Sequence, residues 1–322
     1  MMRILLAVSL IATALHPFAA AAQSPEISLR EFASSQIKKG VRSLGMGGNG
    51  ATWGNYALVW KDAQSALVDG GSTQFTNGNR FTFTAVGAAT PALWHGLTVY
   101  LLAVAQHASD LRLSTQPLAQ GDGANQALFS KIGMPLGRGF SAGLLLSYEL
   151  SQFNLLDVRY QTRWRPSGGF GVTWQHQDWL LAGIRAVLNH DWESQKASSG
   201  VRQGPARSYE GRAGISVLPW GGGLLDVGGN VINRFNGISG IRKVALGLNL
   251  GIEQNFFARH FAVRAGLDES AYCGGTSVRW EPVRLDIAYI YNLGASRLGP
   301  LFGTTSHSLL ATFTFDFSNP LH

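Results

Sequence analysis

Cysteine is nearly absent from this sequence: Cys273 stands alone among 322 residues. One thiol excludes an internal disulfide and every paired-cysteine metal or redox motif. Charge is scarce too, at 14% of residues, where soluble domains average ~25%. Lys and Arg outnumber Asp and Glu by 26 to 19, yet they form no basic run and no finger spacing accompanies them. No nucleic-acid partner is therefore expected. No metal-ligand spacing stands out, and no cofactor is expected. Long apolar runs are also missing beyond residue 23. The longest, Leu97 to Ala105, falls well short of the ~18 residues that a membrane helix needs.

The apolar run at the start reads as an export leader. Arg3 is followed by an apolar stretch from Ile4 to Leu15, then Pro17 and the small residues Ala19 to Ala22, with cleavage expected before Gln23. An exported chain without membrane helices crosses lipid only as a closed barrel, the one alternative that pairs every backbone polar group internally.

What the chain does have is glycine, 40 residues of it, 11% aromatics, and strands of period two. Val244, Leu246, Leu248, Leu250 and Ile252 alternate with Ala245, Gly247, Asn249, Gly251 and Glu253. Successive strand side chains point to opposite faces, so one face is an apolar stripe and the other is small or polar. The split recurs at Leu144–Leu150, Tyr209–Val217, Val283–Tyr291 and Leu309–Phe317. Such stripes are the dyad pattern of a transmembrane β-barrel. Short connections are expected at 90–96, 135–139, 176–179, 219–223, 257–260 and 281–282, and mostly longer ones between them, near 107–125, 153–157, 193–206, 236–241, 269–275 and 294–305. Short periplasmic turns alternating with longer outer loops fit the same class.

This spacing predicts an all-β, antiparallel transmembrane barrel. Thirteen strands are counted from residue 80 onward, with 157–175 read as one long strand despite Pro166. An even number returns both termini to one side, so a fourteenth is placed at Gly48–Val59, and twelve or sixteen strands remain open. The domain reading is residues 1–22 leader, 23–46 hatch or plug, and 47–322 barrel. Trp94, Trp179, Trp220 and Trp280 fall at short turns, where an interfacial aromatic belt is expected.

The stretch from Gly40 to Ala51, GVRSLGMGGNGA, continues to Asp62-Ala63 and Ala66. It resembles the N-terminal region of FadL-type outer-membrane transporters of long-chain fatty acids and other hydrophobic compounds, and secretion-accessory barrels look similar there. The Asn-Pro-Ala that closes the family pattern is replaced here by Leu67-Val68-Asp69. The resemblance implies an N-terminal hatch, a lumen for hydrophobic ligands, and outer-membrane lipid as surroundings. The expected function is a passive channel for small hydrophobic or amphipathic molecules; the alternative is a closed barrel serving as scaffold or accessory of an envelope or secretion machine. Oligomeric state stays open.

The expected gate is Leu44, Gly45, Met46, Gly47, Gly48, Asn49 and Gly50. The expected lumen contacts are Arg159, Arg163, Arg212 and Arg264, because an arginine facing a lumen binds a carboxylate or phosphate in a bidentate manner. Balancing lumen acids such as Glu210, Glu253 and Asp286 is the plainer role for the same arginines. Arg185 and Arg284 share their inward parity. His190-Asp191-Trp192-Glu193 is the one acid–base constellation worth naming, and no enzymatic activity is expected. In Ser306-His307-Ser308 the neighbours alternate faces and cannot form a dyad.

Overall fold

The computed structural model describes residues 41–46, 51–52, 54–62, 64–75, 78–113, 116–155, 158–162, 165–197, 200–236, 241–268, 271–292 and 305–317. The wall is built from β1 (Ser65–Phe75), β2 (Arg80–Ala89), β3 (Thr98–Leu113), β4 (Gln116–Gly137), β5 (Phe140–Leu155), β6 (Val158–Thr162), β7 (Arg165–His176) and β8 (Leu180–Ala197). It continues through β9 (Gly200–Val217), β10 (Gly223–Asn236), β11 (Ile241–Phe256), β12 (Phe261–Asp268), β13 (Ala271–Trp280), β14 (Val283–Asn292) and β15 (Ser306–Asp316). Neighbours pair antiparallel, and β1 pairs β15 to close the sheet on itself.

Segments β6 and β7 both lie between β5 and β8, so fifteen segments make fourteen staves. The expected single strand over 157–175 is thus one stave in two segments, the first ending at Thr162 and the second starting at Arg165. The break is a one-residue offset. Gln161 opposes Gln152, but Arg165 opposes Glu149. An extra residue in one strand switches the face of everything beyond it.

Alternation holds around the wall. On β5, Ser141, Leu145, Ser147, Glu149 and Ser151 are buried while Leu144, Leu146 and Tyr148 are exposed. On β11, Asn249 and Glu253 are buried while Val244, Leu246 and Leu248 are exposed. The inward residues meet one another and the N-terminal segment, and nothing in the described chain packs on the outward rows. A single closed sheet with an apolar exterior leaves no unpaired edge and offers lipid the face it solvates. An arginine placed in the outward row near mid-height, Leu250→Arg, is expected to cost roughly 2–4 kcal/mol. Urea titration of the protein refolded in lipid vesicles reads this; an unchanged midpoint would mean that row does not face acyl chains.

All six expected short turns are present, between β2 and β3, β4 and β5, β7 and β8, β9 and β10, β11 and β12, and β13 and β14. The β4–β5 hairpin turns on Arg138 and Gly139, at φ 51° and 81°, the left-handed pair that matches strand twist. Trp94, Trp179, Trp220 and Trp280 stand exposed at or beside these turns.

Two expectations are corrected. Gly48–Val59 is not a strand: residues 56–62 form a short 3-10 helix inside the barrel, and the fourteenth stave is Ser65–Phe75. The outward face of Ser65–Phe75, Ala66, Val68, Gly70, Ser72 and Gln74, carries too little apolar area to advertise a strand. Leu67-Val68-Asp69 lies within it. Nor are most of the expected outer loops loops. Strands β3 and β4 run to Leu113 and from Gln116, and β8 and β9 run to Ala197 and from Gly200. Polar strand ends show no apolar stripe in the sequence and so do not advertise themselves as strands.

Candidate functional site

The lumen is occupied by the chain's own N-terminal segment. Helix α1 (Val41–Gly45) packs against β12, β13, β14 and β15. Residues 56–62 pack against β3, β4, β5 and β7. Leu44, Met46, Ala51, Tyr56, Ala57, Leu58 and Val59 are all buried. Their apolarity therefore serves the barrel's interior, not its exterior.

Inward glycines make the room. Gly133, Gly143 and Gly171 stand side by side on β4, β5 and β7. A Cβ at Gly133 would sit 2.6 Å from the Tyr56 carbonyl oxygen, and one at Gly143 would strike the Tyr56 backbone. At Gly171 it would strike Asn55 Oδ1, at Gly183 the Ala51 carbonyl, and at Gly251 the Met46 carbonyl. Five bare backbone positions thus form a mould for one extended segment.

Polar contacts hold the segment in register. Asn55 Nδ2 donates to Ala51 O at 2.7 Å and to Ile184 O at 2.9 Å, while Asn55 Oδ1 accepts from Ala57 N at 3.0 Å. Thr52 donates to Asp226 Oδ1 at 2.7 Å, and Ser216 donates to the same oxygen. Lys61 donates to Gln175 at 3.1 Å.

Two charge clusters line the wall. In the first, Arg42 of the segment makes a two-point contact with Glu253, at 2.7 and 3.0 Å. Glu253 also accepts from Arg264 at 2.5 Å; Arg264 lies 3.2 Å from Asp286, and Asp286 accepts from Arg284 at 2.8 Å. Three arginines and two carboxylates alternate, and both carboxylates are buried. In the second cluster, Arg185 and Arg212 face each other directly across β8 and β9. Glu210 serves both, tightly for Arg212 and at 3.5 Å for Arg185. Arg185 reaches the segment through Gly54 O at 3.4 Å and lies over the Tyr56 ring at 5.5 Å.

Elsewhere polar inward side chains, among them Asn125, Ser147, Glu149, Asn230 and Thr312, alternate with two apolar patches. Tyr56 and Val59 cluster with Tyr100, Leu102, Phe129 and Leu145, and Leu44 with Ala271, Ala288, Ile290 and Leu310. Among the described residues no group of His, Cys, Asp and Glu is arranged to hold a metal ion.

Of the expected gate, Leu44, Gly45 and Met46 are buried inside the barrel, while Gly47, Gly48, Asn49 and Gly50 lie outside the described residues. Arg212 and Arg264 face the lumen, as do Arg185 and Arg284, and Arg264 is engaged by Glu253 and Asp286. Arg159 does not face the lumen. It is exposed and opposes Asn154, on the outward parity of Tyr148. The one-residue offset between Thr162 and Arg165 reverses the parity on which an inward Arg159 was expected. Arg163 lies outside the described residues, as do the side chains of His190 to Glu193. Ser306 and Ser308 are buried and His307 is exposed, so they cannot act together. Sequence reasoning missed Arg42, Thr52, Asn55 and Tyr56 as lumen contacts. Glycines at matching inward positions of neighbouring strands were the available signal.

A closed antiparallel barrel, apolar outside and filled by its own N-terminal segment, defines a class: membrane-spanning β-barrels with an internal plug. Solved structures place it further. A FadL homologue from Pseudomonas aeruginosa aligns with a TM-score of 0.57 at 11% identity, over 94% of this chain and 100% of that one. The Pseudomonas putida toluene transporter TodX aligns with a TM-score of 0.54 at 9% identity, over 86% and 98%. A TodX variant described as a monoaromatic hydrocarbon channel gives 0.56 at 9%, over 86% and 99%. At such identities the likeness is one of fold, and it is the fold that the Arg42–Ala66 resemblance implied. No family model and no curated protein matches the sequence.

Proposed function

We propose that the chain is an outer-membrane channel through which small hydrophobic or amphipathic molecules diffuse passively once the N-terminal segment shifts. The observation that carries this reading is the lumen itself: a separate segment moulded against the wall, with an apolar patch of Tyr100, Leu102, Phe129 and Leu145 beside it. A structural barrel with no passage would gain more from large side chains at Gly133, Gly143 and Gly171 than from a groove for a separate segment. The gate is the segment that includes Leu44, Gly45 and Met46, extended toward the barrel by Ala51 to Asp62. Arg212, with Arg185, offers the polar contact for the head of an amphipathic molecule, since the two guanidinium-bearing residues face each other across β8 and β9. The fold shared with a toluene transporter and a FadL homologue supports the same assignment.

The test is uptake. Protein reconstituted in vesicles is expected to speed entry of a monoaromatic probe over protein-free vesicles, and to leave a charged sugar phosphate excluded. Equal rates with and without protein would overturn the channel. The alternative, a closed scaffold for an envelope machine, draws on the same filled lumen. It would be favoured by a stoichiometric partner on purification together with no uptake.

A further inference from the structure

The exterior of the barrel is not uniform. On β9, β10 and β11 the outward side chains are mostly large and apolar, but over β15, β1, β2 and β3 they change character with height. Near the short-turn end, Val68, Val86, Leu101, Leu128 and Phe315 surround an apolar groove of about 370 Å³. Above it the wall becomes bare. Gly70 and Ser72 are the next outward positions on β1, and a Cβ at Gly70 would meet only the Phe83 carbonyl oxygen, at 4.0 Å.

At the loop end a polar row crosses five strands in register. Tyr291 opposes His307, His307 opposes Gln74, Gln74 opposes Arg80, and Arg80 opposes Ser109. Arg80 donates to Ser72 at 3.1 Å, which fixes the guanidinium against β1. Tyr289 hydrogen-bonds His307, whose ring lies 5.0 Å from that of Tyr291. No outward position of β15, β1 or β2 among the described residues carries a carboxylate, and the exposed Asp122 stands on β4, beyond the Ser109 end of the row.

We propose that this wall binds one phosphorylated, multiply acylated glycolipid of the outer leaflet. Arg80 holds a phosphate, and an acyl chain runs down the bare track at Ser72 and Gly70 into the groove between Val68 and Val86. Three features select this occupant. The six residue steps from Arg80 to Val86 span about 20 Å of wall, the reach of an extended acyl chain. The polar row spans four strand spacings, about 19 Å, which suits a sugar headgroup with several chains better than a narrow phospholipid head. Arg80 meets no outward carboxylate among the described residues of its own strand or of β1 and β15, so an anion complements it there. A second copy docked about a twofold axis would set Arg80 and its row against their own like.

The inference rests on the membrane reading of the exterior but not on transport. Native mass spectrometry of the detergent-solubilised protein, titrated with hexa-acylated lipid A or with phosphatidylglycerol, tests it. The intact protein is expected to retain one lipid A, about tenfold more tightly than phosphatidylglycerol. Arg80→Gln should weaken lipid A about tenfold, and Gly70→Trp, which fills the track, should abolish retention. Heat-modifiable gel mobility confirms that each variant is folded; if Gly70→Trp fails it, Gly70→Leu takes its place. Equal retention by the folded variants, equal affinity for the two lipids, or a dimer lost in Gly70→Trp would each overturn the proposal. Failure here with intact vesicle uptake would leave the channel standing.

Discussion

Deleting residues 41–62 is expected to convert a poorly conducting barrel into an open one, with single-channel conductance in planar bilayers rising about tenfold or more. The segment fills the lumen from β12–β15 across to β3–β7, so its removal leaves a continuous aqueous path lined by Arg185, Arg212, Glu253 and Arg264. The barrel itself should survive, because every stave pairs with its neighbours and β1 begins only at Ser65. Gly171→Leu tests the same idea without shortening the chain. Its side chain claims the space of Asn55 Oδ1 and should loosen the segment, giving intermittent openings where the deletion gives permanent ones. Conductance indistinguishable from the intact protein in both variants would mean that something other than this segment closes the lumen.

The second large effect belongs to Glu253. Its carboxylate, 1% exposed, joins Arg42 of the segment to Arg264 of the wall. Removing one partner of a buried ion pair strands the other in a poorly solvating site, typically at roughly 3–5 kcal/mol. Glu253→Ala strands neither arginine fully, since Arg264 keeps Asp286 while the Arg42 side chain is 32% exposed and recovers solvation. Glu253→Ala should therefore destabilise the refolded barrel by about 3 kcal/mol, the low end of that range, read as a lower urea midpoint. Arg42→Ala should barely move it yet increase spontaneous opening in bilayers. That contrast separates a fastening between segment and wall from a brace within the wall. If Arg42→Ala proved as destabilising as Glu253→Ala, the contact would be part of the wall's own stability.

Much of the wall was legible in the sequence because lipid imposes a strict rule on one face and backbone pairing imposes strand length. Rows such as Val244–Ile252 and Val283–Tyr291 could face only one way, and the Pro- and Gly-marked turns fixed where each hairpin reversed. The first stave escaped because lipid exposure is marked on Ser65–Phe75 by little more than Ala66 and Val68. Its place was given to Gly48–Val59, whose Ala51, Trp53 and Tyr56 are apolar; Ala51 and Tyr56 are buried inside the barrel, and Trp53 lies outside the described residues. Periodicity reports that a residue avoids water without saying whether lipid or the lumen takes it. Arg159 was misplaced for a related reason: an inward Arg159 assumes an unbroken strand over 157–175, and the one-residue offset between Thr162 and Arg165 reverses its parity. Inward placement of Arg185, Arg212, Arg264 and Arg284 needed no such extrapolation and matched.

The joint between the filling segment and β1 has a kinetic meaning. Gln64 is clamped on both sides, its N–H donating to Thr90 O at 3.0 Å and its carbonyl accepting from Phe317 N at 2.8 Å. The segment is thereby leashed at Asp62 to a fixed post on the rim. A leashed piece that slips out stays close to its seat, at an effective concentration in the millimolar range for a short tether. Reclosure is then unimolecular and independent of how much protein the membrane holds.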